Sequence, residues 1–103
     1  MKVKMFKIPT FDEWVGKGKK YEGQLGEYIL QIRPFSWSEN SVMYAFAVAA
    51  EKNPLNIYAK TIYHSYFNCG YEDMEMLRKW YDKQVEQFNN YWEKYVTENF
   101  LVK

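Results

Sequence analysis

Residues 72–96 constrain the fold of this chain more than any other stretch. At about 100° per residue, Leu77, Trp80, Tyr81, Val85, Phe88, Tyr91, Trp92, Tyr95 and Val96 fall inside one arc about 160° wide. Lys79, Asp82, Lys83, Glu86, Asn89, Asn90, Glu93 and Lys94 occupy the opposite arc. Glu72, Asp73 and Glu75 stand at the start, where acids complement the helix dipole. The spacing predicts an amphipathic helix of about seven turns, and such a helix needs a surface on which to lay its apolar stripe. The edges of so wide a stripe, Trp80 and Tyr91 on one side and Val96 on the other, are candidates for a homodimer contact.

The surface is expected from period-two segments. Tyr28, Leu30 and Ile32 alternate with Ile29, Gln31, Arg33 and Phe35, up to the turn formers Ser36–Ser41. Residues 42–50 fit a strand or a helix; the alternation of Val42, Tyr44, Phe46 and Val48 with Met43, Ala45, Ala47 and Ala49 favours a strand. The alanine face would then leave room for a helix to approach closely. Residues 51–56 read as a turn around Asn53-Pro54, and 57–67 as the third strand of a meander, ended by Asn68-Cys69-Gly70. Residues 2–8 read as a short strand before Pro9, and Thr10-Phe11-Asp12-Glu13 matches a capping box that starts a short helix. Gly16-Lys17-Gly18-Lys19-Lys20 then predicts a mobile basic loop through about Gly26. The expected fold is α+β: a single domain over 1–103, with a three-stranded antiparallel meander plus a short N-terminal strand. The short helix precedes it, and the long C-terminal helix packs on one face.

At 103 residues there is room for one core. The 21 aromatic rings (10 Tyr, 7 Phe, 4 Trp) outnumber the 17 Val, Ile and Leu. Tyr and Trp carry a polar atom that needs a partner, so part of this excess is expected at the surface. The net charge of +1 conceals a basic start, with six Lys against two acids in 1–21, and an acidic end, with seven acids against four bases in 71–98. Neither a whole-protein DNA mimic nor a non-specific DNA coat fits that balance. Twelve Lys to two Arg also argues against bidentate base reading. One cysteine, Cys69, forms no internal disulfide and suits a reducing, cytoplasmic location. The first residues lack the apolar run of a signal peptide, and no stretch approaches a membrane span.

No catalytic constellation emerges. His64, the only histidine, and Cys69, five residues on, would need hydrogen-bond contact and an orienting group to act as a nucleophile pair. One His and one Cys cannot complete a structural zinc site, and the glycine-lysine loop lacks phosphate-loop spacing, so no metal or cofactor is expected. The candidate partner-binding residues are Lys17, Lys19, Lys20, Tyr21 and Trp37, the last a large ring among small polar residues. They predict a non-enzymatic module that binds a protein partner. The alternative is single-stranded nucleic-acid binding, with Tyr58, Tyr63 and Tyr66 stacking on bases and the lysine loop on phosphates.

In style, the Lys-over-Arg bias, the abundant Tyr and Asn and the absence of motifs resemble accessory proteins of phages and mobile elements of AT-rich bacteria. That resemblance implies an inhibitor of a host defence nuclease, of the anti-CRISPR type, acting on a nucleic-acid-processing complex by occlusion.

Overall fold

A computed structural model describes residues 4–50 and 61–98. Its elements run α1 (Phe11–Gly16), β1 (Tyr21–Leu25), β2 (Tyr28–Trp37), β3 (Ser41–Ala49), β4 (Thr61–Gly70) and α2 (Met74–Val96). The four strands form one antiparallel sheet in the order β1-β2-β3-β4, and both helices lie on one side of it. The chain is α+β. The turn expected at 51–56 and the first residues of the third predicted strand, 57–60, lie outside the described residues.

Two expectations near the N-terminus are corrected. Residues 4–10 form no strand, and the fourth strand of the sheet is instead Tyr21–Leu25, where a mobile loop was expected. The reason is glycine used in two ways. Gly26, at φ +64°, turns the chain so that Leu25 pairs with Tyr28. Gly23 leaves a bare backbone over which the Tyr21 ring lies; a Cβ there would meet the Tyr21 hydroxyl. An aromatic neighbour thus covers the weak point of an edge strand.

α1 begins as its capping box requires. The Thr10 N–H donates to Glu13 Oε1 at 2.9 Å and the Glu13 N–H to Thr10 Oγ1 at 3.2 Å, and these bonds hold the Glu13 carboxyl below its ordinary pKa. The lysine segment then closes the helix: the Gly18 N–H donates to Val15 O at 3.1 Å and the Lys19 N–H to Trp14 O at 2.9 Å. In α2, Asp73 is the N-cap, accepting from the Met76 N–H at 3.2 Å, and Glu75 sits in the first turn.

Residues 42–50 resolve as strand through Ala49. The α2 stripe rests on the large face of β3 and not on the alanine face, because rings from the helix interleave with Tyr44, Phe46 and the β4 residues Tyr63 and Phe67. Trp14, Leu30, Ile32, Phe46, Val48, Leu77, Tyr81, Phe88 and Trp92 fill the space between.

What holds this aromatic core in one arrangement is that its polar atoms have addresses. Trp14 Nε1 donates to Ile32 O (3.0 Å), Trp92 Nε1 to Lys4 O (2.8 Å) and the Tyr81 hydroxyl to Pro9 O (2.6 Å). The Tyr63 hydroxyl donates to Gln84 Oε1 at 2.8 Å, which explains a buried glutamine in the stripe. The N-terminal segment is therefore pinned by carbonyl contacts to α2, with Phe6 packed on Phe88 and Trp92, and it needs no ladder.

The same burial makes the phenols sensitive to alkali. Tyr28 is pushed up to about 12, first by burial and then by its hydrogen bond with Tyr95; burial raises Tyr63 and Tyr81 as well. A phenol raised in the folded state keeps its proton where the unfolded chain has lost its own. Its contribution is whole below the ordinary value of 10.0 and disappears as pH climbs toward 12. Stability measured by denaturant unfolding is expected to fall steadily through that window, with tyrosinate absorbance lagging in the folded protein. A flat profile across the window would contradict it.

Candidate interaction surface

The large exposed apolar side chains among the described residues are Met5, Phe35, Trp37, Tyr66, Tyr71 and Met76. Phe35, Trp37 and Tyr71 belong to one end of the domain, around the turn between β2 and β3. The turn is tight: the Ser38 N–H donates to Ser41 O at 2.8 Å, and the two serine hydroxyls lie 2.8 Å apart. Just before it the register of β2 slips between Pro34 and Ser36, so Phe35 leaves the ladder and Trp37 comes opposite Val42. Pro34 has no N–H to lose, and a bulge there re-aims the residues that follow.

Trp37 is 62% exposed on the helix side of the sheet. Its neighbour across β3 is Cys69, paired with Val42, and the Cys69 thiol donates to Gly70 O and Asp73 O, each at 3.3 Å. Tyr71 reaches back over the turn to donate its hydroxyl to Ser38 O, and Met76 stands in the first turns of α2. Tyr71 and Met76 are each 46% exposed. Trp37 and Tyr71 thus border the turn, and Met76 stands past β4 at the start of α2.

On the other side of the sheet, Phe35 and Tyr66 come from strands that do not touch, yet their rings lie 5.3 Å apart. They meet over β3 because Ala45, opposite both Arg33 and Tyr66, fills so little space. Ala45, Ala47 and Ala49 are each 0% exposed, and no described helix lies on that face.

The five predicted partner-binding residues separate. Trp37 is exposed as described. Lys19, in left-handed backbone at φ 60°, places Nζ 5.9 Å from the centre of the Tyr44 ring, on the Trp37 side of the sheet. Lys17 is an exposed C-cap of α1. Lys20 and Tyr21 line a shallow cleft of about 250 Å³ with Glu22, Gln31 and Arg33 at the β1–β2 edge, and the Tyr21 ring is half-buried against the core. The sequence reading missed Phe35, Tyr71 and Met76. Of these, only Met76 carried a signal, since it falls outside the apolar arc of α2.

Other candidate chemistry comes apart. His64 and Cys69 project from opposite faces of β4, since His64 shares the Tyr66 side and Cys69 the Phe67 side; a nucleophile pair would need one face. Burial raises the Cys69 thiol, with Asp73 adding to the effect, which leaves it a poor nucleophile. Among the described residues no three His, Cys, Asp or Glu side chains gather as a metal site, and no helix is long and apolar enough to cross a membrane. For base stacking, Tyr58 lies outside the described residues. Tyr63 faces α2, so only Tyr66 of that trio stands exposed on the sheet. The helix edges named for a dimer have partners within the chain: Trp80 stacks on Phe67 and donates to Ser65 Oγ at 3.2 Å, and the Tyr91 hydroxyl donates to Ile62 O at 2.6 Å.

No protein family, curated protein or solved structure matches this chain.

Proposed function

We propose that the protein is a non-enzymatic interaction module that grips a protein partner with the end of the domain around the β2–β3 turn. One observation carries the reading: among the described residues Trp37 and Tyr71 stand exposed at the turn on the helix side and Phe35 pairs with Tyr66 on the opposite face, while Trp14, Trp80 and Trp92 are consumed by the core. Exposed large apolar side chains grouped beside polar ones are what binding surfaces share, and Trp and Tyr are their usual anchors. Lys19, over the Tyr44 ring on the Trp37 side, favours an acidic border on the partner. The finer reading is a cytoplasmic accessory protein of a phage or mobile element that inhibits a defence nuclease. It rests on the resemblance of composition and on the fact that occlusion requires no reactive group.

The test is Trp37→Ala. Its melting temperature should stay close to that of the parent, because surface substitutions change stability by only about ±0.5 kcal/mol. Affinity for a partner identified by affinity capture and remeasured by calorimetry should fall by about thirtyfold, the effect of losing an anchor of about 2 kcal/mol. A large loss of stability would place Trp37 in the core and remove the site. Steep, salt-sensitive binding of mixed-sequence DNA or RNA in fluorescence anisotropy would replace the reading with a nucleic-acid one.

A further inference from the structure

We propose that the outer edge of β4 accepts an extended, acidic segment of the partner as a fifth strand. The inference rests on the interaction-module reading and adds how the partner is held.

The direction of every backbone group follows from the β2–β3 turn. Ser41 O accepts from the Ser38 N–H, so Ser41 and the odd residues after it in β3 face β2, and Val42, Tyr44, Phe46 and Val48 face β4. Their partners Cys69, Phe67, Ser65 and Tyr63 complete those bonds. His64, Tyr66 and Asn68 therefore point their N–H and C=O groups away from the sheet, and among the described residues β4 is its last strand. The Tyr91 hydroxyl donation to Ile62 O caps the edge before that point.

The two edges differ. β1 has five residues, a glycine at its centre, and only Glu22 and Gln24 facing outward. β4 has ten residues, and its pairing is regular from Tyr63 to Gly70. It contains neither Lys nor Pro, the residues that usually blunt an edge. Such an edge is a template for strand addition, and this one leads away from the Trp37–Tyr71 rim.

Charge names the occupant. Trp80 and Tyr91 mark where α2 borders β4, and the helix surface continues outward at three- and four-residue spacing through Met76, Lys83, Gln87 and Lys94. Between Trp80 and Tyr91 the exposed charge on that flank is Lys83; Lys94 follows with Glu93 and Glu98 beside it in one shallow cleft, and Glu75, Asp82 and Glu86 lie farther round. Side chains of an added strand would alternate between this basic flank and the open face beside Tyr66. The segment that fits alternates acidic with apolar residues. A second copy docked β4 to β4 would instead bring the two Lys83 flanks together.

The experiment uses two displayed libraries of peptides of about ten residues, one alternating Asp or Glu with Val, Ile, Tyr or Phe, the other with Lys in place of the acids. The acidic library should yield binders and the Lys library none. With a binder saturating the protein, hydrogen exchange of the His64, Tyr66 and Asn68 amides should slow by about tenfold or more. His64→Pro removes an outward donor at a position where an edge tolerates proline, and should weaken binding about tenfold. The double variant Lys83→Glu, Lys94→Glu should do the same at low salt through charge alone. Failure of every acidic peptide to bind, or binding that leaves those three amides unprotected, overturns the edge while leaving the Trp37 rim to stand on its own test. A dimer in sedimentation that His64→Pro disperses assigns the edge to a second copy and also overturns it.

Discussion

Trp14→Ala is expected to cost about 3–5 kcal/mol, the range for truncating a buried Trp. Against a total of about 5–15 kcal/mol for a domain, that is enough to unfold much of the population near physiological temperature. The residue is fully buried. Its ring lies 4.8 Å from that of Tyr81, 5.7 Å from that of Tyr44 and 6.0 Å from that of Phe11, so one side chain joins α1, β3 and α2. Trp14→Phe keeps much of that contact and gives up the bond to Ile32 O, so a smaller loss is expected, with about 1 kcal/mol from the bond itself. Denaturant unfolding of both variants measures the difference. A loss under about 1 kcal/mol for the alanine variant would mean that the three elements hold together without this ring.

The second large effect belongs to Trp92→Ala, also expected to cost about 3–5 kcal/mol but with a local signature. Trp92 meets Phe6 at 5.2 Å and Tyr28 at 5.2 Å, and its indole N–H holds Lys4 O. Removing it takes away the anchor of an N-terminal segment that has no strand pairing among the described residues. Trypsin should then cut after Lys4 and Lys7 far faster than in the parent, while Tyr81 still holds Pro9 O. Equal cleavage rates in the two proteins would show that Phe6 and Tyr81 suffice.

The helix and three of the strands were legible because their signals are periodic and local. The arc of α2 predicted its extent, and the large-small alternation of 42–49 identified β3. What the sequence concealed depended on contacts between distant residues. Residues 4–8 look like a strand by composition, yet the Lys4 carbonyl is held by the Trp92 indole of α2, 88 positions away. Tyr21–Leu25 looks like a loop because Gly23 and Gly26 flank so few apolar residues, and it becomes a strand only through pairing with Tyr28–Ile32. The alanine stripe announced close approach but not by what: over Ala45 it is the Phe35 and Tyr66 rings of the same sheet, and no described helix lies on that face. At the candidate surface, Trp37 could be picked out as a ring without a core position. Phe35 could not, because the register slip that frees it exists only in the paired sheet.

That stripe has a bearing on how such a protein can change over time. Ala45 acts as a spacer: its size sets how far Phe35 and Tyr66 sink toward the strand between them. A drift to valine at this covered position would lift the pair apart and alter the outer contour without replacing any exposed residue. The outer contour of this face is therefore set from beneath, and variation confined to β3 can reshape it.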